Sequence, residues 1–138
     1  MRKIGFVFLL VVLIGGCSNN NEVTPADLQH HRWMLTAINN ESVDISQFNV
    51  LPTLDFGDQM FVEVHDGCRQ FSAMALLESD SLVFQQVEFI NVPCNNYTEN
   101  SKSLALNDSR WVITIPEAGI LRLESEELVF DFKLNDWR

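Results

Sequence analysis

The chain has 138 residues, 46% of them hydrophobic and 20% charged, and a formal net charge of −10. This length suits one domain with a modest core. The charge repels phosphate backbones and argues against nucleic acid as a partner.

The first element is a leader. Arg2 and Lys3 precede eleven residues of an apolar stretch, Ile4 to Ile14, and Leu13-Ile14-Gly15-Gly16-Cys17 then sets small residues before a cysteine. Charged start, apolar middle and small-residue cleavage site are the three regions of a bacterial secretory signal, here ending in a lipobox. A membrane-spanning helix needs about 20 apolar residues, more than this run supplies. The expected mature chain begins at Cys17, whose sulfur carries a diacylglycerol thioether. Two or more acyl chains make such an anchor stable. Ser18 stands where an Asp would favour inner-membrane retention, so the expected address is the periplasmic face of the outer membrane. Residues 1–16 are then a signal peptide, 17–23 a polar tether and 24–138 the domain. The signal holds two of the nine basic residues and none of the nineteen acidic ones, which leaves a mature charge of −12.

An oxidising compartment lets disulfides persist. With Cys17 taken by lipid, Cys68 and Cys94 remain as a pair. A bridge between them closes a loop of 27 residues, worth about 3.5 kcal/mol in the chain-entropy model. The alternative is two buried free thiols behaving as small hydrophobes.

In the domain, Thr24 caps a short helix, Pro25 fits its first turn and Asp27 suits its positive end, with the helix running to about His30. Period two then dominates. Trp33, Leu35 and Ala37 share one face. Met60, Val62 and Val64 oppose Phe61, Glu63 and His65. Leu128, Phe130, Phe132 and Leu134 oppose Val129, Asp131 and Lys133. Such alternation marks half-buried strands. Further strands are expected over 53–56, 70–77, 82–89, 111–115 and 120–123. Turn signals separate them at Asn39-Asn40, Gly57-Asp58, Asp66-Gly67, Ser79-Asp80-Ser81 and 116–119. Asn95 to Asp108 breaks the pattern: Tyr97, Ser101, Leu104, Ala105 and Asp108 recur at helical intervals, which predicts one helix covering an end or open seam of the sheet. The expected class is mainly β (α+β): an antiparallel, barrel-like open sheet with one covering helix.

Several segments resemble the META-domain family of lipoproteins. They are residues 25–35 with their His30-His31-Arg32-Trp33 core, Leu54-Asp55-Phe56-Gly57 with Met60, Cys68 with Phe71 and Ser72, Cys94, and Leu134-Asn135-Asp136-Trp137. The family's Asn after the first cysteine is Arg69 here, and its Gly is Ala73. The resemblance implies a small antiparallel β structure filled by a helix. It also implies an envelope protein associated with heat shock or stress and with novobiocin tolerance, and it implies no enzymatic activity.

The residues themselves carry little catalytic chemistry. His65, Asp66 and Cys68 lie within four positions, as a nucleophile with its base would need. Catalytic partners usually converge from distant positions, however, and a disulfide at Cys68 would remove the nucleophile. Cys68, Cys94, His30 and His31 are soft metal ligands, but the paired close spacing of structural zinc is missing. Adjacent histidines on a strand point to opposite faces, and beside a helix end they satisfy its last carbonyls. Asp55 with Asp58, and Glu124 with Glu126 and Glu127, read as solvated turns or faces rather than a glycosidase pair. No phosphate-cradling loop or nucleophile elbow is present. Phe56, Phe71, Phe84, Phe130 and Trp111 read as core.

These readings call for no cofactor, no metal and no enzyme. They describe a lipid-anchored envelope protein that binds a partner. The alternatives are an apolar-ligand carrier with a barrel cavity, and an inhibitor of a basic enzyme such as lysozyme.

Overall fold

A computed structural model describes residues 22–48, 50–90, 104–108 and 110–136. After a one-turn helix α1 (Pro25–Leu28), the described residues form nine strands. They are β1 (Arg32–Ile38), β2 (Glu41–Ser42), β3 (Thr53–Phe56), β4 (Phe61–His65), β5 (Gln70–Glu78), β6 (Ser81–Ile90), β7 (Trp111–Glu117), β8 (Ile120–Glu124) and β9 (Val129–Leu134). All pairings are antiparallel and follow chain order from β3 to β9.

The sheet is closed, where the sequence led us to expect an open one. β1 pairs with β3 on one side and with β9 on the other, from Trp33↔Leu134 to Ile38↔Phe130. Eight strands therefore make a barrel, and β2 is a two-residue appendage of β1. The β1–β2 turn places both Asn39 and Asn40 at positive φ, as a type I′ hairpin turn requires.

Alternation decides the filling. Trp33, Leu35, Leu54, Phe56, Val62, Val64, Phe71, Leu82, Trp111, Ile113, Leu121, Leu123, Phe130 and Phe132 are all buried in one cluster. An eight-stranded barrel is just wide enough for side chains to fill. The strands' own inward residues supply the core, where a covering helix was expected to fill it. α1 spans only four residues. Of the expected helix at Asn95 to Asp108, residues 95–103 lie outside the described residues; Leu104 and Leu106 are buried, and Leu106–Asp108 forms a single 3-10 turn. No helix among the described residues is long and apolar enough to cross a membrane.

The narrowest wall lies between β6 and β7, which pair only at Ser81↔Val112 and Leu82↔Trp111. Beside it, the buried Trp111 indole N–H donates to the Leu106 carbonyl at 2.8 Å. Bulges interrupt the ladder between Leu35 and Ala37, between Ser72 and Met74, and between Thr114 and Glu117. The last takes in Pro116, which the sequence placed in the following turn.

The barrel has two ends. The entry end carries α1, the β3–β4, β5–β6 and β7–β8 turns and residues 135–136. The far end carries the β1–β3 connection, the β4–β5 turn and the β8–β9 turn.

Candidate functional site

The most built-up polar feature is the β4–β5 turn at the far end. Asp66 is fully buried. Its Oδ1 accepts the N–H of Cys68 at 3.0 Å and of Arg69 at 2.6 Å, and its Oδ2 lies 3.4 Å from Arg69 Nε. Its own N–H donates to the Arg69 carbonyl at 2.9 Å. A buried carboxylate is tolerated only when hydrogen bonded and paired, and this turn supplies both. Gly67 adopts φ +103°, a conformation that costs glycine least. Its N–H donates to His65 Nδ1 at 3.2 Å. Three consecutive amide protons, from Gly67 to Arg69, are thus all satisfied by two neighbouring side chains.

Two further contacts tie this turn to the rest of the far end. Val50 N–H donates to the Gly67 carbonyl at 3.4 Å, and Leu104 N–H to the Asp66 carbonyl at 2.8 Å. The Arg69 guanidinium lies 4.6 Å from the ring centre of the half-exposed Phe89, which in turn tilts against the buried Phe71. Arg69 thus counters the buried charge of Asp66 and covers an apolar ring, as a guanidinium does well.

Outside the barrel wall, a shallow depression is lined by Arg32, Thr53, Asp55, Glu63, His65 and Gln70, among others. Strand register explains it: Arg32↔Asp55, Asp55↔Glu63, Thr53↔His65 and His65↔Gln70 are direct neighbours on one face. His65 lies on the same outer face as Glu63, as alternation predicted. Burial lowers its pKa below the ordinary histidine value, against the upward pull of the Asp66 charge.

The histidine pair meets the expectation in part: the His31 N–H donates to the Leu28 carbonyl at the end of α1 at 3.3 Å, while the two side chains reach elsewhere. His30 Nε2 lies 3.1 Å from Asp58 of the β3–β4 turn, and His31 Nδ1 lies 2.8 Å from Asp136 Oδ2. His30 takes φ +65°, and this reversal of the backbone sends the two rings to different partners. Asp136 Oδ1 also accepts the Arg32 N–H at 3.1 Å.

The remaining sequence-derived sites are dispersed. Cys17 and Cys94 lie outside the described residues. Cys68 is 7% exposed and anchored by Asp66. Asp55 and Asp58 are exposed, and Glu126 and Glu127 sit at the exposed β8–β9 turn. Among the described residues, no group of three or more His, Cys, Asp or Glu is arranged to hold a metal ion. Phe56, Phe71, Phe84, Phe130 and Trp111 are core, as expected.

Sequence reasoning missed two arrangements. One is the burial of Asp66; the only signal was an arginine three residues further on. The other is Arg122 on β8, which donates through Nε to Asp131 Oδ1 at 2.7 Å and through Nη2 to Oδ2 at 3.3 Å. The β8–β9 register, which makes the two residues direct neighbours, was the signal available there.

A closed antiparallel meander with an apolar core and polar groups at the ends and outer wall defines a small β-barrel protein. Comparison with known proteins narrows the class. The chain is 32% identical to "Heat shock protein HslJ" of Escherichia coli (strain K12) over 98 residues, which span 70% of this chain and 68% of that protein. The chain belongs to the HslJ family, the META-domain proteins it resembles in sequence. No protein-family model matches it. Two proteins solved by NMR share the fold. One covers 83% of this chain and 97% of its own length, with a TM-score of 0.62 and 22% identity. The other, from Burkholderia xenovorans, covers 81% and 88%, with a TM-score of 0.55 and 15% identity.

Proposed function

We propose that this protein is a non-enzymatic lipoprotein, anchored through Cys17 to the periplasmic face of the outer membrane, that supports the envelope under stress by binding a partner. The observation that carries the stress role is membership of a family in which a relative is named a heat shock protein. Novobiocin tolerance enters the proposal through the same resemblance. The anchor rests on the Arg2–Cys17 pattern.

The architecture supports binding by the outside of the barrel. The inward Phe and Leu side chains pack against one another, and the surface depressions among the described residues are lined by strand-edge and turn residues such as Pro116, Glu117, Arg122 and Glu127. An apolar-ligand carrier would instead place its phenylalanines around a void. Val23, expected in the tether, is buried in the core cluster, so a tether over residues 17–22 would reach about 20 Å from the entry end and leave the far-end loops facing away from the membrane. A second reading, inhibition of a basic enzyme such as lysozyme, is favoured by the exposed acidic tip Glu126-Glu127 on the β8–β9 turn. We also assign Cys68 and Cys94 to one disulfide; with Cys17 taken by lipid they are the remaining cysteines, and an oxidising compartment lets such a bridge persist.

Metabolic labelling with palmitate tests the anchor. The wild-type chain should take up label and fractionate with outer membrane, and Cys17→Ala should do neither; an unlabelled wild-type chain would refute the proposal. Cross-linking in intact envelopes followed by capture tests the partner. One stoichiometric envelope protein is the expected product, whereas lipid alone would favour the carrier, and lysozyme inhibition in a lysis assay the second reading.

A further inference from the structure

The β4–β5 turn contains a titratable acceptor that the proposed binding role does not use. Gly67 is the apex of this turn, and its N–H is held by a lone pair on His65 Nδ1, 3.2 Å away. The carbonyl of the same residue accepts the Val50 N–H, which fastens the β1–β3 connection to the turn. Imidazole can accept at Nδ1 only while that nitrogen is unprotonated.

The geometry points to an acid-operated release at the far end: protonation of His65 removes the acceptor of the Gly67 amide and loosens both the β4–β5 turn and its attachment to Val50.

The surroundings set the sense of the response. The charged groups facing His65 are Glu63 on its own strand, Asp55 on β3, Arg32 on β1, and Asp66 and Arg69 in the turn; its direct neighbours Thr53 and Gln70 are neutral. Asp55 and Glu63 favour a charged ring, and Arg32 opposes it. Asp66, although held by two amides and Arg69, also favours the charged ring. The partly buried ring is poorly hydrated, and its hydrogen bond to Gly67 is available only to the neutral form, so burial and this bond act in the same direction. What the release would uncover is local. Val50 is 50% exposed and Ile45, on the same connection, already 70%, so a looser connection frees the covered half of Val50 and lets an apolar segment move at the end facing away from the tether. That last consequence rests on the partner-binding reading; the release itself does not.

Amide hydrogen exchange and imidazole nitrogen shifts of the purified domain test this without any partner. The release predicts an Nε2–H tautomer for His65 at neutral pH. It also predicts a drop in protection of the Gly67 amide on the order of fivefold between pH 7.5 and pH 5, the equivalent of one neutral hydrogen bond. The drop should be absent in His65→Asn, whose side-chain oxygen accepts without titrating, and His65→Leu should show low protection at both pH values. An Nδ1–H tautomer at neutral pH would overturn the inference, even if neither variant folds. So would an equal drop in wild type and His65→Asn. Failure to capture a partner would leave these readouts unchanged, so the two ideas fail separately.

Discussion

His31 and Asp136, 105 positions apart, meet across the seam that closes the barrel, with Nδ1 and Oδ2 at 2.8 Å. Two segments that resemble the META family, His30-His31-Arg32 and the C-terminal Asp136-Trp137, are therefore joined through Asp136; Trp137 lies outside the described residues. Asp136 also binds the Arg32 N–H, and the Asn135 N–H returns to the Arg32 carbonyl at 2.8 Å.

Removing that carboxylate should weaken the seam. Asp136→Ala is expected to cost about 1 kcal/mol, since both partners are part-exposed and screened by water. A double-mutant cycle with His31→Ala, followed by urea denaturation, should give a coupling of about 0.5 kcal/mol. Strict additivity would mean that the ion pair contributes nothing and that the backbone contact alone matters.

Asp66 should be far less replaceable. Asp66→Ala strands the Cys68 and Arg69 amides and leaves Arg69 without its partner, for an expected loss of about 3–5 kcal/mol. Asp66→Asn keeps an acceptor oxygen and should lose roughly half of that. Equal midpoints for the two variants in a denaturant titration would show that the side-chain oxygen is not what organises the turn.

Stability should also depend on pH through His65. Its folded pKa is lowered, chiefly by burial, so the unfolded chain binds the proton more readily. The folded state is then unpenalised above the ordinary value of about 6.5 and loses stability as pH falls below it. The difference in melting temperature between wild type and His65→Asn should be constant above pH 7 and should shift against the wild type between pH 6.5 and pH 5. A difference that stays flat over the whole range would contradict this.

Trp111 anchors the narrow wall in two ways. Trp111→Phe deletes the indole donor to the Leu106 carbonyl and is expected to cost about 1–2 kcal/mol. Trp111→Ala adds a cavity in the core and should cost about 3–5 kcal/mol. Equilibrium unfolding followed by circular dichroism separates the two effects, and near-equal losses would assign the whole contribution to packing.

On the outer wall, Arg122 and Asp131 are direct cross-strand neighbours whose hydrogen bond raises the Arg122 pKa. Arg122→Ala and Asp131→Ala should be non-additive by about 0.5–1 kcal/mol. Additivity at low salt would mark the pair as a geometric coincidence.

Much of the fold could be read from residue order because it depends on local rules. Period two placed Val62, Val64, Phe130 and Phe132 inward, and the Asn39-Asn40 and Asp66-Gly67 signals fell on real turns. Closure could not be read this way. Alternation tells which face of β1 is inward, but not that β9, some hundred residues later, lies beside it. Of the helix expected over 95–108, only 104–108 falls among the described residues, and there Leu104 and Leu106 are buried two residues apart with a 3-10 turn at Leu106–Asp108 rather than an α-helix. For the site, His65 was correctly placed on the outer face, but Asp66 was read only as part of a turn signal beside His65 and Cys68. Its burial depends on Arg69 and on two backbone amides folding back over it, a pattern that composition does not encode. The histidines were read with their neighbours in sequence, whereas their partners come from the β3–β4 turn and from the residues after β9.

Two rungs join β6 to β7, whereas β5 and β6 share eight. A cylinder tears at its shortest weld. Among the described residues, the lengths of β6 and β7 beyond those rungs are where thermal breathing should begin, with Trp111 as the last bolt to yield. Unzipping there would bare a backbone fringe able to recruit a foreign strand, so among the described residues this wall is where heat should first invite nicking and clumping.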